Sequence, residues 1–124
     1  MILGIGVDLC RISRMERAIR SRHFVERVFR PEEIAYAEAK GRGMAASFAS
    51  AFAVREAFCK ASGVPLAMAA LGGGVTLLRQ DGAPRLALSP EAEAAAFRGE
   101  AGRTLVSLTH DGDYAVAMVV LEQV

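Results

Sequence analysis

One long alanine-rich stretch, residues 44–62, constrains the fold of this chain more than any other part of the sequence. It contains no glycine or proline, and Gly63 and Pro65 follow it directly. Its phenylalanines recur at helical spacing, so the pattern predicts a helix that ends at the glycine. Because most of its surface is apolar, the helix must lie against other elements of the fold.

Two charged residues stand near the end of this predicted helix. Glu56 lies at the edge of the apolar face and Lys60 lies beside it. A carboxylate removed from water costs several kcal/mol unless a cation, a metal or hydrogen bonds compensate for the lost hydration. Two interpretations remain: a Glu56–Lys60 ion pair one turn apart, worth roughly 0.3–0.5 kcal/mol, or a ligand site. On the helix alone, the ion pair is favoured.

Before this helix, the sequence predicts one strand and two further helices. Residues 2–7 are apolar and partly β-branched, which predicts a buried strand with Asp8 at its end. Apolar residues at helical spacing predict a basic helix over 11–21. Pro31 predicts the start of another helix, which runs towards Lys40.

After the helix, the pattern changes to hairpins. Strands 75–79 and 84–88 flank an Asp81-Gly82 turn, a helix follows from Ser89 to about Arg98, and a second hairpin joins 104–109 to 114–122. This order predicts an α+β fold in which an antiparallel or mixed sheet packs with helices, in a single domain over residues 1–124. The last strand is apolar on both faces, so both must be covered, either by helix and sheet or by another subunit.

Charge is distributed unevenly along the chain. Residues 11–30 carry seven arginines against two glutamates, although the net charge of the whole chain is only +1. A local basic surface on a near-neutral protein predicts an acidic partner rather than nucleic acid, for which a basic chain is typical. A solvated helix face is the alternative.

The remaining composition argues against several classes of protein. Cys10 and Cys59 form no C-x-x-C motif, which predicts free thiols and a cytoplasmic location. Residues 61–78 are uncharged, but glycines and Pro65 interrupt them, so no membrane span is predicted. The Gly4-x-Gly6 pair lacks the third glycine of a dinucleotide fingerprint.

Three polar points emerge from apolar elements: Asp8, Glu56 with Lys60, and Ser107-x-Thr109-His110. Two carboxylates on rigid elements beside a cation suit Mg²⁺ that is also bound by waters and by a substrate phosphate. Two histidines and two cysteines make a zinc site improbable, and the sequence has no Walker A motif. A histidine at a strand end contacts a phosphate, transfers a proton, or has only a structural role.

Together, three segments resemble the motifs of the bacterial holo-[acyl-carrier-protein] synthases, the small phosphopantetheinyl transferases. The segments are Gly4-Ile5-Gly6-Val7-Asp8, Phe52-Ala53-Val54-Arg55-Glu56-Ala57-Phe58-Cys59-Lys60 and Ser107-Leu108-Thr109-His110. The resemblance covers essentially the whole chain. It implies transfer of 4′-phosphopantetheine from coenzyme A to a serine of apo-acyl carrier protein, which releases adenosine 3′,5′-bisphosphate.

The resemblance also implies roles for individual residues. Asp8 and Glu56 would bind Mg²⁺, and Glu56 and Lys60 would be catalytic. Coenzyme A would contact Asp8, Lys60, Gly63, Thr109 and His110. Arg14 and Arg20 would bind the acidic carrier protein. A cytoplasmic homotrimer with active sites between subunits is the implied assembly.

The sequence departs from the family pattern at three places. Arg55 stands where the family usually has lysine, Ala51 where arginine is common, and Gly63-Val64-Pro65 where Gly-Thr-Gly is usual. Arg55 keeps the positive charge but changes its geometry, whereas the lost guanidinium at Ala51 and the lost threonine predict weaker coenzyme A binding. Two other interpretations are a non-catalytic module of the same fold that binds coenzyme A or carrier protein, and a regulatory domain whose arginine helix binds nucleic acid.

Overall fold

The computed structural model describes residues 1–70, 74–80 and 82–124. In chain order the elements are β1 (Ile2–Arg11), α1 (Ile12–Ala18), α2 (Arg22–Val28), α3 (Pro31–Glu38), a 3₁₀ turn (Gly41–Gly43), α4 (Met44–Ser62), α5 (Leu66–Ala70), β2 (Val75–Leu78), β3 (Arg85–Leu88), α6 (Pro90–Phe97), β4 (Gly102–Asp111) and β5 (Tyr114–Gln123).

The strands form two antiparallel sheets. β5 lies between β1 and β4 in a three-stranded sheet, and β2 and β3 form a separate two-stranded sheet. The predicted α+β fold is therefore confirmed, and every described strand pair is antiparallel rather than mixed. The predicted helix over 44–62 is confirmed as α4.

Helix α4 covers one face of the three-stranded sheet. The β5 residues on that face are fully buried: Ala115, Ala117, Val119 and Leu121. Gly4 and Gly6 of β1 allow the helix to approach, because a Cβ on Gly6 would lie 1.9 Å from the Ala57 carbonyl oxygen. The two glycines thus serve helix–strand packing.

The opposite face of this sheet is apolar and exposed. Its exposed side chains are Ile5 (62%), Val7 (51%), Leu9 (57%), Leu105 (45%) and Met118 (41%). We call these five residues the open sheet face. The prediction that β5 is apolar on both faces is confirmed, but within the described chain only one of these faces is covered by α4.

Two predicted boundaries were wrong. β1 continues to Arg11 rather than ending at residue 7, because β5 supplies a pairing partner along its whole length, as far as Arg11 opposite Tyr114. Asp8 consequently lies within the strand. The predicted basic helix over 11–21 is shorter in the structure, where α1 ends at Ala18. Helix α2 was not predicted; the Ser21 hydroxyl caps its start by accepting a hydrogen bond from the Phe24 amide (3.2 Å).

The β4–β5 turn fixes the start of α1. Asp113 accepts hydrogen bonds from the Ile12 amide through its carbonyl (2.7 Å), and from the Ser13 amide (2.9 Å) and hydroxyl (2.6 Å) through its carboxylate. The Ser13 hydroxyl is the main cause of the lowered pKa of Asp113. A distant carboxylate thus satisfies the first amides of the helix that carries Arg14.

The second half of the chain largely follows prediction. The hairpin strands are β2 and β3, and the Asp81 position of their predicted turn lies outside the described residues, as do Leu71, Gly72 and Gly73. Ser89 caps α6 by accepting a hydrogen bond from the Ala92 amide (3.1 Å). Helix α5 was not predicted. Within the described ranges no helix is both long and apolar enough to cross a membrane.

Candidate active site

The close approach of β1 and α4 places Asp8 beside the charged end of the helix. Asp8 lies on the same face of β1 as Gly4 and Gly6, since alternate residues of a strand share a face. Lys60 donates a hydrogen bond to the Asp8 carboxylate (3.0 Å) and another to the Val7 carbonyl (3.1 Å). Among the ion pairs of the described residues, Lys60 pairs with Asp8 and not with Glu56, so the i,i+4 interpretation was wrong.

Asp8 and Glu56 line one cavity of about 440 Å³, which we call the carboxylate cavity. Its other lining residues come from β1, α1, α2 and α4, and they include Leu9, Cys10, Arg11, Arg14, Met15, Ala18, Phe24 and Phe52. Arg14 therefore lies at the cavity, whereas Arg20 lies beyond the end of α1 and is exposed. The lining combines apolar side chains with charges of both signs.

The donor set of this cavity fits Mg²⁺. Asp8 and Glu56 provide carboxylate oxygens, and the described residues contain no group of three or more histidine, cysteine or acidic side chains that could hold a metal. Mg²⁺ is commonly held by one or two carboxylates together with waters and substrate phosphates. Zinc requires three or four protein ligands, so the cavity does not suit it.

The two cysteines near this cavity are poor nucleophiles at neutral pH. Burial raises the pKa of the Cys10 thiol, and burial together with the Glu56 carboxylate raises the pKa of Cys59 to about 11. The thiolate is the reactive form of cysteine. The chemistry of the site must therefore rest on carboxylates and cations.

Thr109 and His110 lie elsewhere in the chain. They end β4 and line a cavity of about 330 Å³, which we call the basic cavity. It is also lined by Tyr36, Lys40, Gly43, Ala46, Ser47, Ser50, Arg79 and Leu108. Sequence reasoning did not single out Lys40 and Arg79, which line this cavity, because neither lies in a recognisable motif.

The two cavities lie on roughly opposite sides of α4. The basic cavity meets the helix at Ser47 and Ser50, and the carboxylate cavity meets it at Phe52 and Glu56. Since successive helical residues turn by about 100°, these pairs point in nearly opposite directions. A single chain therefore does not bring His110 together with Glu56.

Gly63 lies at a third place. It ends α4 in the left-handed conformation (φ 78°), where its amide donates a hydrogen bond to the Cys59 carbonyl (2.8 Å). It lines another cavity, of about 480 Å³, with Leu3 and Phe97 among its neighbours. The predicted coenzyme A contacts are thus divided among three places in one chain.

Arg55 is a structural residue. It is fully buried, and its guanidinium forms an ion pair with Glu33, which is also fully buried. Arg55 donates a further hydrogen bond to the Ala51 carbonyl (2.7 Å), and Glu33 accepts one from the Leu77 amide (2.9 Å). The sequence left open what the change from the usual lysine to Arg55 does, and the structure shows that this side chain faces the core rather than a cavity. Ala51 is fully buried as well.

Comparisons with known proteins agree with this geometry. The family model described as "4'-phosphopantetheinyl transferase superfamily" matches residues 4–119. The chain is 41% identical to the holo-[acyl-carrier-protein] synthase of Anaeromyxobacter dehalogenans, over 98% of this chain and 97% of the relative. It is 39% identical to that of Geobacter sulfurreducens, over 99% of each chain.

Solved structures are similar over the same extent. A holo-(acyl-carrier-protein) synthase from Bacillus anthracis, in complex with CoA (3',5'-ADP), is 30% identical with a TM-score of 0.80, and covers 100% of this chain and 99% of its own. The Helicobacter pylori synthase, in complex with coenzyme A, is 27% identical with a TM-score of 0.73, over 95% and 99% of the two chains.

Proposed function

Because the chain belongs to the 4'-phosphopantetheinyl transferase superfamily, we propose that it transfers 4′-phosphopantetheine from coenzyme A to a serine of apo-acyl carrier protein. The single observation that carries this proposal is the carboxylate cavity, where Asp8 and Glu56 meet beside Lys60 and Arg14. The relatives matched along nearly the whole chain are named for this activity. The coenzyme A complexes of similar structures also support it.

The carboxylate cavity contains the groups that phosphoryl transfer requires. Asp8 and Glu56 would hold Mg²⁺, and when bound the ion supplies positive charge for the pyrophosphate. Lys60, which already donates to Asp8 and to the Val7 carbonyl, would contact a phosphate with its third N–H. The residues thus position the pyrophosphate and offset its charge.

The transfer itself is an in-line displacement. The carrier serine oxygen forms a bond to the β-phosphorus, and the bond from that phosphorus to the bridging oxygen breaks. Adenosine 3′,5′-bisphosphate leaves with the electron pair. In this proposal Glu56, which is partly buried at the cavity, would accept the serine proton directly or through a metal-bound water.

Arg14 and Arg20 provide the docking surface for the carrier protein in this proposal. Both are exposed, and Arg14 also lines the carboxylate cavity. A guanidinium binds carboxylates through two parallel hydrogen bonds, which suits an acidic partner. Docking there would bring the carrier serine to the cavity.

We further propose that the working assembly is a homotrimer with active sites between subunits. The open sheet face is a large apolar surface, of the kind that marks an interface. Because the carboxylate and basic cavities lie on opposite sides of α4, His110 of one copy would complete the carboxylate cavity of another. Cys10 and Cys59 are both free, which supports the predicted cytoplasmic location.

The mass of purified apo-acyl carrier protein, after incubation with this protein, coenzyme A and Mg²⁺, tests the proposed reaction. We expect a gain of one phosphopantetheine, which EDTA prevents. Glu56→Ala should lower the transfer rate by about 100-fold or more, because it removes a metal ligand and a proton acceptor. Glu91→Ala removes an exposed carboxylate from α6 and serves as the matched control.

The alternative, a non-catalytic binding module, predicts a different result. Coenzyme A would bind, but no carrier protein would gain mass. Full activity of Glu56→Ala with Mg²⁺ would remove Glu56 from the site.

A further inference from the structure

The basic cavity contains cationic groups but no anionic group. Its lining includes the Lys40 ammonium, the Arg79 guanidinium, the His110 ring and the hydroxyls of Ser47 and Ser50, but no carboxylate. It also includes Gly43, which precedes α4 and gives this 19-residue helix no side-chain cap. The positive end of the helix dipole therefore adds to the charge of the cavity.

Arg79 is the least satisfied residue there. Its Nε and Nη2 atoms are buried and have no hydrogen-bond partner among residues 1–70, 74–80 and 82–124. Its Nη1 donates to the Ser47 carbonyl (3.2 Å), and its guanidinium lies 4.1 Å from the centre of the Tyr36 ring. These contacts fix the orientation of the Arg79 guanidinium and leave its Nε and Nη2 donors without an acceptor. A buried charged donor without an acceptor is costly, which indicates a missing anion.

A second cation accompanies Arg79. The Lys40 ammonium lies 4.5 Å from the centre of the same Tyr36 ring. Neither Lys40 nor Arg79 takes part in a salt bridge with any carboxylate of the described residues. Burial lowers the pKa of Arg79, as expected for a cation whose charge is poorly compensated. The charge of the cavity suits a doubly charged anion.

We propose that Arg79 binds the 3′-phosphate of coenzyme A. This inference rests on the proposed function. Coenzyme A carries a pyrophosphate, which that function assigns to Asp8, Glu56 and Lys60, and a 3′-phosphate monoester. The monoester is the remaining dianion, and the fork of Arg79 matches its oxygens. In the trimer, the Arg79 of one copy would bind the 3′-phosphate of a coenzyme A whose pyrophosphate lies on its neighbour.

Calorimetry with two nucleotides tests the inference without any transfer reaction. Adenosine 3′,5′-bisphosphate and adenosine 5′-monophosphate differ only in the 3′-phosphate. Arg79→Met keeps an apolar stem against Tyr36 and removes the charge. We expect it to bind the bisphosphate about tenfold to hundredfold more weakly and the monophosphate with unchanged affinity. Arg85→Met removes an exposed arginine from the same hairpin and should change neither affinity.

Two results would overturn the inference: equal affinity of wild type and Arg79→Met for the bisphosphate, or an equal loss for both nucleotides. If Arg79→Met does not fold, Arg79→Lys provides the same comparison, because it keeps the charge but not the fork. We expect it to retain only part of the preference for the bisphosphate, and an unchanged preference would also overturn the inference.

Kinetics then separate this role from the proposed function. With coenzyme A, Arg79→Met should raise KM by about tenfold to hundredfold and leave kcat within about twofold, because the contact lies away from the reacting phosphate. With 3′-dephospho-coenzyme A, variant and wild type should have similar KM values. A wild type that transfers nothing contradicts the proposed function, whereas the nucleotide affinities still decide the role of Arg79.

Discussion

Glu33 compensates the buried charge of Arg55, so the removal of Glu33 should strongly lower the free energy of unfolding. Glu33→Ala would leave the Arg55 guanidinium and the Leu77 amide without their acceptor in the core. We expect a loss of about 3–5 kcal/mol in the free energy of unfolding, measured by urea denaturation monitored by circular dichroism. Glu38→Ala removes the exposed partner of Arg22 and should cost only about 0–1 kcal/mol. Equal losses in the two variants would show that the buried pair has no special weight.

At the scale of residues, the motifs indicated which charged residues lie near one another, but they did not predict which of them form ion pairs. The sequence correctly placed Asp8, Glu56 and Lys60 in one neighbourhood, because all three belong to motifs on rigid elements. It did not predict the partner of Arg55, because nothing near position 55 indicates that Glu33, twenty-two residues earlier, reaches the same point in the core. A buried ion pair depends on tertiary packing, which local periodicity does not encode.

At the scale of elements, the contact between β1 and α4 sets the geometry of the carboxylate cavity. Gly6→Ala would place a Cβ 1.9 Å from the Ala57 carbonyl oxygen, and backbone atoms cannot rotate away as a side chain can. The strand and helix would have to separate. We expect a loss of about 3 kcal/mol or more in the free energy of unfolding, at the upper end of overpacking effects.

Gly43→Ala is the matched control for this change. Its added Cβ would lie 3.5 Å from the Lys40 Cβ, an ordinary contact, and its φ of −84° suits alanine. It should cost about 1 kcal/mol or less. Thermal unfolding compares the stability of the two variants. A Gly6→Ala variant as stable as Gly43→Ala would contradict the proposal that β1 needs glycine in order to pack closely against α4.

Element types were easier to predict than element ends. Helix α4 was predicted because a long apolar periodic stretch has one stable conformation, and because Gly63 marks the end of the helix in the sequence. The extension of β1 to Arg11 depends on pairing with Tyr114, which is over one hundred residues away. The division between α1 and α2 depends on one serine hydroxyl, a signal that is common in sequences and specific only in context.

At the scale of the whole molecule, the sequence motifs do not show that the carboxylate cavity and the basic cavity are separate. The three motifs predicted one site, yet α4 stands between His110 and Glu56 in a single chain. The open sheet face likewise follows from the apolar pattern of β5, but the sequence left open whether helix and sheet or another subunit covers it. Both features concern relations between surfaces, which only the folded chain displays.

The proposed trimer predicts that two inactive variants restore activity when they assemble together. Glu56→Ala should abolish transfer, and His110→Ala should reduce it strongly. If each site takes Glu56 from one subunit and His110 from its neighbour, random mixing of equal amounts leaves about a quarter of the sites with both native residues. We therefore expect about a quarter of the wild-type rate after the two variants are unfolded and refolded together.

Ile5→Glu tests the same assembly independently. A charge at Ile5, the most exposed residue of the open sheet face, should prevent the copies from associating, and light scattering after size exclusion should then report the mass of one chain. Arg85→Glu changes an exposed residue outside that face and should leave the assembly intact. A mixture of Glu56→Ala and His110→Ala that remains inactive, while light scattering shows that it assembles, would contradict sites shared between subunits.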